Sequence, residues 1–323
     1  MNFEDALANP ATKEVTLSML RSLSRSDVRI AELQGRGVTP LHVVGTEHIQ
    51  LFVANGADPN ARDKAGMTPL HHAVCHEDAE RARELLKHRA DVNAIAEIER
   101  EGTSSDTPHV LSPLHMAQSD TMAQVLLEHG GDLHARDERG RTPFHYQMLK
   151  GDTADVVALL LQHGVDVNMA DHEGNTPLHQ ANVRQTEMLL DEGANVNARN
   201  LGGRTPLHAV AGNEIAPGAT RSQVMRLLDA GADVNARDNA GETPLHFNMR
   251  QASNVLEPPL TETGRLLLER GADPFIANNA GQSPHDMAIE SGDLNAIGAF
   301  GAHRRQREAQ ALKPERSRER IRS

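Results

Sequence analysis

One stretch of this sequence carries residue types that could bind a metal ion. In His71-His72-Ala73-Val74-Cys75-His76, the residues His72 and His76 are four positions apart and Cys75 is adjacent to His76. Side chains four positions apart lie on one face of an α-helix, so two or three of these groups could act as zinc ligands. A tetrahedral zinc site usually needs a second ligand pair, and this spacing supplies only one. We therefore expect no metal site.

The sequence contains no common catalytic motif. It has no phosphate-binding G-x-x-x-x-G-K-[ST] loop and no G-x-S-x-G nucleophile elbow. His76-Glu77 is followed by Asp78-Ala79-Glu80, without the second histidine that a zinc-protease helix requires. The single cysteine, Cys75, has no surrounding pattern that would shape a nucleophile pocket. We predict that the protein is not an enzyme and that it needs no cofactor.

The candidate zinc ligands His72 and His76 come after a tetrapeptide that recurs along the chain. Its Thr or Ser can cap the first turn of a helix, and its Pro suits the first helical position. The copies are Thr39-Pro40-Leu41-His42, Thr68-Pro69-Leu70-His71, Ser112-Pro113-Leu114-His115, Thr142-Pro143-Phe144-His145, Thr176-Pro177-Leu178-His179, Thr205-Pro206-Leu207-His208 and Thr243-Pro244-Leu245-His246, with a degraded copy at Ser283-Pro284-His285-Asp286. Each tetrapeptide therefore predicts the start of a helix.

The residues after each tetrapeptide complete a repeated unit of two helices and an extended turn. In the fourth unit, the apolar run from Val156 to Leu161 predicts a second helix, and Gly164 is the residue type that best closes it. Asp171 and Gly174 then suit a tight turn. In the units that begin at Thr39, Ser112 and Thr176 the stretch after the tetrapeptide is about one turn short, so we predict a trimmed first helix there.

A period near 33 with T-P-L-H-x-A closely resembles the ankyrin-repeat family. The resemblance covers residues 37–302, with repeats starting near 37, 66, 110, 140, 174, 203, 241 and 281. It implies an all-α solenoid of stacked helix-turn-helix units with projecting β-turn fingers and a concave face that binds other proteins. It also implies that the tetrapeptide histidines have a structural role, linking the Thr hydroxyl to the backbone of a neighbouring repeat. Residues 1–36 are expected to form capping helices and residues 303–323 a flexible basic tail.

Composition agrees with a soluble array of thin helical layers. Aromatic residues make up 2% of the 323 residues, the net charge is −12 and there is one cysteine. This charge disfavours a body that binds nucleic acid. The N-terminus has no signal-peptide pattern, and no apolar run approaches the length of a membrane span. We expect a cytoplasmic monomer without membrane contact; export without a cleavable signal, or a nuclear location in a host, stays open.

The resemblance places partner-binding residues on the fingers and at the exposed ends of the first helices. Most of them are polar, so we predict a salt-sensitive interface. The predicted contact residues are Lys64, Met67, Cys75, His76, Glu138, Arg139, Arg141, Leu149, Lys150, His172, Glu173, Asn175, Leu201, Arg204, Asn239, Glu242, Arg250, Asn279, Gln282 and Glu290. Reversing the charges of Glu138, Arg139 and Arg141 together is expected to weaken partner capture without unfolding the array.

Two further segments leave alternatives open. The insertion at 96–111 sits where a finger should be, and it is either a solvated loop or an enlarged finger that contacts a partner. The tail from 303 carries eight Arg or Lys against three Glu, so it is either a solvated, frayed helix or a nuclear-type address, acidic-surface contact or nucleic-acid contact. The leading function is a scaffold that binds another protein; the trimmed units resemble those of some bacterial and viral effectors or inhibitors. A nucleic-acid or nuclear adaptor and a metal-binding or enzymatic protein are the alternatives.

Overall fold

The structure, a computed structural model, describes residues 1–24, 36–98, 109–150, 154–212, 217–252 and 260–311. Nearly all regular structure in these residues is helical, which confirms the predicted fold class. The chain divides into two compact units, Met1–Asp166 and Val167–Ser323, and each is described by itself. The predicted capping segment includes residues 25–35, which lie outside the described residues.

The first unit begins with two helices and continues with pairs of helices separated by extended turns. Its first helices pack on one another in order, as do its second helices. The helices are α1 (Phe3–Ala8), α2 (Pro10–Ser24), α3 (Ile49–Ala54), α4 (Pro69–Cys75), α5 (Ala79–Lys87), α6 (Pro113–Met116), α7 (Asp120–Glu128), α8 (Pro143–Lys150) and α9 (Ala154–Gln162), with 3₁₀ turns at Pro40–His42 and Thr46–His48.

The second unit repeats the same arrangement. Helices α10, α12, α14 and α16 are the first helices of successive repeats, and each packs on the next. The helices are α10 (Pro177–Gln180), α11 (Val183–Asp191), α12 (Pro206–Ala211), α13 (Pro217–Asp229), α14 (Pro244–Ala252), α15 (Glu262–Glu269), α16 (Pro284–Ser291) and α17 (Leu294–Ala311). The buried layer between the helices consists mainly of Leu, Val and Ala, as the low aromatic content requires.

In six of the repeats, the tetrapeptide histidine forms a bond to the repeat that follows. In Thr205-Pro206-Leu207-His208, the Thr205 N–H donates to His208 Nδ1 at 3.0 Å. The ring proton therefore lies on Nε2, which donates to the Glu242 carbonyl at 3.0 Å, immediately before the next capping threonine. The same contact recurs from His42 to Met67, His71 to Leu111, His115 to Arg141, His179 to Arg204 and His246 to Gln282.

The degraded last copy keeps only half of this link. Asp286 Oδ2 accepts from the Ser283 N–H at 2.9 Å and from the Ser283 hydroxyl at 2.6 Å, as the histidine Nδ1 does elsewhere. Unlike an imidazole, a carboxylate has no N–H group that could donate to a following repeat. Asp286 therefore caps its own helix without forming an onward link.

The three trimmed first helices have the predicted positions. The first repeat has only a 3₁₀ turn, Pro40–His42, and α6 and α10 have four residues each. The carbonyl groups that the missing turn would satisfy are instead bonded by buried side chains of the next repeat. Arg81 Nη2 donates to Leu41 O at 2.9 Å, Gln147 Nε2 to Ala117 O at 3.1 Å, and Gln223 Nε2 to Ala181 O.

The ends of the second helices show one strained exception. Gly231 closes α13 with a φ of 90°, in the left-handed region that glycine adopts at little cost. In the second repeat Arg89 stands at this position and adopts a φ of 65°. A side chain in this conformation costs roughly 1–2 kcal/mol, so the repeat tolerates strain here.

The two ends of the insertion at 96–111 form short paired strands. Strands β1 (Ala96–Ile98) and β2 (His109–Leu111) pair antiparallel, with Ala96 opposite Leu111. Val110 N donates to Glu138 Oε2 of the next finger at 2.9 Å. Residues 99–108, which carry most of the insertion's acidic side chains, lie outside the described residues.

Candidate partner-binding surface

The finger turns are held by an aspartate or asparagine at the start of the turn. Asp63 Oδ1 accepts from the N–H groups of Ala65 and Met67, both at 2.9 Å. Asp238 does the same for Ala240 and Glu242. These bonds fix the turn and direct the residue after the aspartate outward. In the finger that begins with Asn200, that residue is Leu201.

The structure places most of the predicted contact residues on the surface. The exposed ones are Lys64, Cys75, His76, Arg139, Leu149, Lys150, His172, Glu173, Leu201, Arg204, Asn239, Arg250, Asn279 and Glu290, and the half-buried ones are Met67, Glu138, Arg141, Asn175 and Gln282. Glu242 is the exception, because it is buried and pairs with Arg250. It therefore orients another residue and is not itself presented to a partner.

Several exposed candidates already bind their neighbours. Asn239 Nδ2 donates to Leu201 O at 2.8 Å, and Asn279 Nδ2 donates to Asn239 O at 3.0 Å, so these amides link successive fingertips. Gln282 Nε2 donates to Glu290 Oε2 at 2.6 Å. These side chains give the surface its shape, and partner contact by them would add to that role.

The finger with Glu138 and Arg141 is less suited to charge reversal than the sequence suggested. Arg141 Nε donates to Asp137 Oδ2 at 2.7 Å, and its guanidinium carbon lies 4.7 Å from the centre of the Tyr146 ring. The Arg141 side chain is only 12% exposed. Reversing the triplet would therefore leave the Asp137 carboxylate buried beside a second negative charge and destabilise the repeat. Only Arg139 of the three can be changed cleanly.

Glu77 is a structural residue that the sequence analysis did not identify. It has a φ of 52°, and its carboxylate accepts from Gln118 N at 2.9 Å and from the Ser119 hydroxyl. It thereby satisfies donors at the start of α7, across the trimmed helix α6. Lys150 Nζ reaches Met116 O at 3.4 Å over the same trimmed helix. Burial lowers the pKa of Lys150, with Glu77 acting in the opposite direction.

Three ligand-type side chains do come together, but they differ from the predicted set. His42, Asp63 and His72 offer ligand atoms that lie within 4.8 Å of one another. His72 Nε2 is 2.9 Å from Asp63 Oδ2, which draws His72 away from a shared site with Cys75 and His76. His42 accepts from Thr39 N–H at Nδ1, so its Nε2 carries the proton bonded to Met67 O at 3.1 Å. Metal binding by Nε2 would break this inter-repeat bond.

We therefore predict that protein purified without a histidine tag contains no stoichiometric zinc. Binding at His42, Asp63 and His72 would remove the proton that links the first two repeats. Elemental analysis after dialysis measures the metal content, and unfolding with and without a chelator gives an independent control. One zinc per chain, lost in a His72→Ala variant, would contradict the prediction.

The last helix extends into the segment that the sequence analysis assigned to a flexible tail. Helix α17 continues to Ala311, past position 303, which agrees with the alternative of a helix at the start of the basic segment. Arg307 Nη1 lies 2.8 Å from Asp273 Oδ2, and the guanidinium of Arg304 lies 5.6 Å from the centre of the Phe275 ring. Part of the basic segment is thus bound to the repeat that begins near 241. Residues 312–323 lie outside the described residues.

A groove of about 580 Å³ between α15 and α17 was not expected from the sequence. Arg265, Glu269, His303 and Arg307 contribute to its lining. His303 Nε2 is buried and has no hydrogen-bond partner within the described residues. Burial, followed by the charge of Arg307, lowers the pKa of His303. The groove lies between residues of two different helices that are 30 or more positions apart in the sequence, so it depends on tertiary packing.

Comparison with known proteins identifies the repeats. The family model for ankyrin repeats in three copies matches residues 10–96 and 114–200, and the model for a single ankyrin repeat matches residues 202–239. No helix among the described residues has the length and apolar character needed to cross a membrane.

Similar curated proteins share only a segment with this chain. The E3 ubiquitin-protein ligase KEG of Arabidopsis thaliana is 33% identical over 117 residues, which cover 35% of this chain and 6% of that protein. Human Rabankyrin-5 is 38% identical over 104 residues, covering 28% and 9%, respectively. Human transient receptor potential cation channel subfamily A member 1 is 28% identical over 148 residues, covering 44% and 12%.

The chain thus spans only a small part of each of these relatives, and the similarity concerns repeats rather than whole proteins. The family models, by contrast, match more than half of the chain. Their match agrees with the paired helices, the capping tetrapeptides and the fingers described above. This chain belongs to the ankyrin-repeat family.

Proposed function

We propose that this protein binds a partner protein through its fingers and the exposed ends of its first helices, and that it catalyses no reaction itself. Repeats of this family generally mediate protein–protein interaction. Nothing in the sequence supplies a catalytic motif, and the regular elements of the described residues are used to build repeats. The trimmed helices also support a role as an effector or inhibitor of another protein.

The observation that carries this proposal is the position of Leu201. Its side chain is 73% exposed at a fingertip, and its backbone is fixed there by bonds to neighbouring fingers. When a partner covers an exposed apolar side chain, the removal of apolar surface from water favours binding. Leu149, at the end of α8, is 50% exposed and offers a second contact of this kind.

We predict that Leu201→Ser weakens partner capture by roughly ten-fold to a hundred-fold, because one well-buried leucine contact contributes about 1.5–3 kcal/mol. The measurement is affinity purification from the native cell, with quantitative mass spectrometry of the captured proteins. Leu294→Ser is the matched control, since Leu294 is 79% exposed at the start of α17, away from the fingers.

The two variants should have the same unfolding midpoint as the unmodified protein. A partner captured equally by the unmodified protein, Leu201→Ser and Leu149→Ser would show that the binding surface lies elsewhere. Loss of capture by Leu294→Ser alone would move the site to the last helix.

A further inference from the structure

Two arginines of the second unit share one aromatic ring on the surface. The guanidinium carbon of Arg204, from a finger, lies 4.9 Å from the centre of the Phe247 ring. The guanidinium carbon of Arg250, three positions after Phe247 in α14, lies 5.7 Å from the same centre. Phe247 is itself held by an edge contact with the His208 ring at 5.4 Å. The ring therefore positions both cations.

Buried carboxylates orient each arginine from the protein side. Arg204 Nε is 3.6 Å from Asp238 Oδ2, and Arg250 Nη2 binds Glu242 Oε1. Side-chain exposures are 3% and 8% for the two carboxylates, but 52% and 48% for the two arginines. The negative charges thus lie inside and the positive charges outside. A partner would meet the guanidinium groups and not the carboxylates.

The outward N–H groups of these arginines are not used within the described residues. Arg204 makes no side-chain hydrogen bond there, since its contact with Asp238 is too long for one, and Arg250 donates only to Glu242. The comparable stack in the first unit is different. Arg141 donates to both Asp137 and the Tyr146 hydroxyl and is 12% exposed. An arginine that stacks on a ring is therefore not always exposed. Among the described residues, Arg204 and Arg250 are two exposed arginines that share one ring.

We propose that Arg204 and Arg250 form a binding site for an oxyanion on a partner protein, a carboxylate or a phosphoryl group, beside an apolar side chain that covers Leu201. This rests on the proposed protein-binding function and specifies the chemistry of the partner. Planar guanidinium groups recognise oxyanions with two parallel hydrogen bonds, and here both groups are already oriented. The chain as a whole has a net charge of −12, so most of its surface repels acidic partners. The exposed pair of arginines is a place where an acidic group is attracted instead.

The test uses the full chain and labelled synthetic peptides in fluorescence anisotropy. One peptide has a central leucine flanked by glutamates, a second has phosphoserines in place of the glutamates, and a third has lysines there. We expect the unmodified protein to bind one or both of the anionic peptides and not the lysine peptide. The stronger of the two anionic peptides identifies the source of the oxyanion.

Two variants remove the cations. The first takes away the ion-pair partner of Asp238, whose Oδ1 still accepts two N–H bonds. Arg204→Gln leaves the Asp238 turn bonds intact, and the double variant Glu242→Gln, Arg250→Gln removes both members of the second pair. Each should weaken binding roughly ten-fold, as expected for one lost charge-assisted contact. Arg204→Lys, which keeps the charge without the planar fork, should also weaken binding, but less than Arg204→Gln. Arg221→Gln, an exposed position on the second-helix α13, is the matched control and should change nothing.

The proposal is overturned if neither anionic peptide binds, or if Arg221→Gln weakens binding as much as Arg204→Gln does. Circular dichroism checks that each variant is folded. Failure of this site is distinguishable from failure of the proposed function. If a native partner is still captured in a Leu201-dependent manner by the arginine variants, the protein-binding function stands and the oxyanion site does not.

Discussion

Lowering the pH from neutral should destabilise this protein steeply between about pH 6.5 and pH 4.5, before most carboxylates titrate. The cause is the set of buried tetrapeptide histidines. Burial lowers the pKa of His42, His71 and His208 from 6.5 to about 4. Burial also lowers the pKa of His115, His179 and His246.

The direction of the effect follows from the two pKa values. In the unfolded chain these histidines take up a proton near pH 6.5, while in the folded protein burial keeps His42, His71 and His208 neutral until about pH 4. The unfolded state therefore binds more protons in this window, and stability that is complete above pH 6.5 is lost as the pH falls. Each histidine with a pKa of about 4 would lower the unfolding free energy by about 2 kcal/mol at pH 5.

Urea unfolding followed by far-UV circular dichroism, at a series of pH values, measures this effect. His208→Asn should reduce stability at neutral pH, because the bond to Glu242 O is lost, but should make the pH dependence less steep. His172→Gln removes an exposed histidine and is the matched control. A pH dependence that is flat down to about pH 5 would contradict the proposed neutrality of the buried rings.

Replacing Gln223 with leucine should lower the free energy of unfolding by about 2 kcal/mol, because each buried polar group left without a partner costs roughly 1–3 kcal/mol. Gln223 is buried, and its Nε2 donates to Ala181 O and to the Thr186 hydroxyl at 2.8 Å. These bonds take the place of the turn that α10 lacks. Leucine has nearly the same volume, so the loss reports hydrogen bonding rather than a cavity.

The control for this prediction is Gln124→Leu, since Gln124 donates only to Glu128 on the exposed face of α7. That change should alter stability by less than about 0.5 kcal/mol. Chemical unfolding at pH 7 compares the two variants with the unmodified protein. Equal stability of Gln223→Leu and Gln124→Leu would show that the trimmed helix needs no replacement donor.

Much of the fold could be predicted from the sequence because its determinants are local. Thr205-Pro206 specifies a helix start through a side-chain cap and a fixed φ, and Gly231 specifies a helix end through its left-handed conformation. The trimmed helices were equally visible, because a missing turn appears directly as missing residues between Thr176 and Asn182. The pairing of strands β1 and β2 was not predicted, since it joins Ala96 to Leu111, which are 15 positions apart in the sequence.

The exposed residues of the fingers could be predicted as a class, but their individual roles could not. Arg141 and Arg204 occupy the same place in their repeats, yet one is saturated by Asp137 and Tyr146 while the other is half exposed beside Phe247. The buried donors could have been found from the sequence, because Gln147 and Asn248 are polar where other copies have Ala or Val. Each of the two donates to the preceding repeat.

The amino-acid sequence alone determined the repeat and the order of helices, because each depends on residues a few positions apart and on one motif copied along the chain. The linking role of the histidines was implied by the resemblance to ankyrin repeats. Tertiary structure decided which carbonyl Gln223 satisfies, which arginines remain available and that α17 extends over the last repeat. Those outcomes depend on side chains from different repeats meeting in space. Whether a polar group is satisfied or free depends on its neighbours across the stack, and these are 30 or more residues away in the sequence.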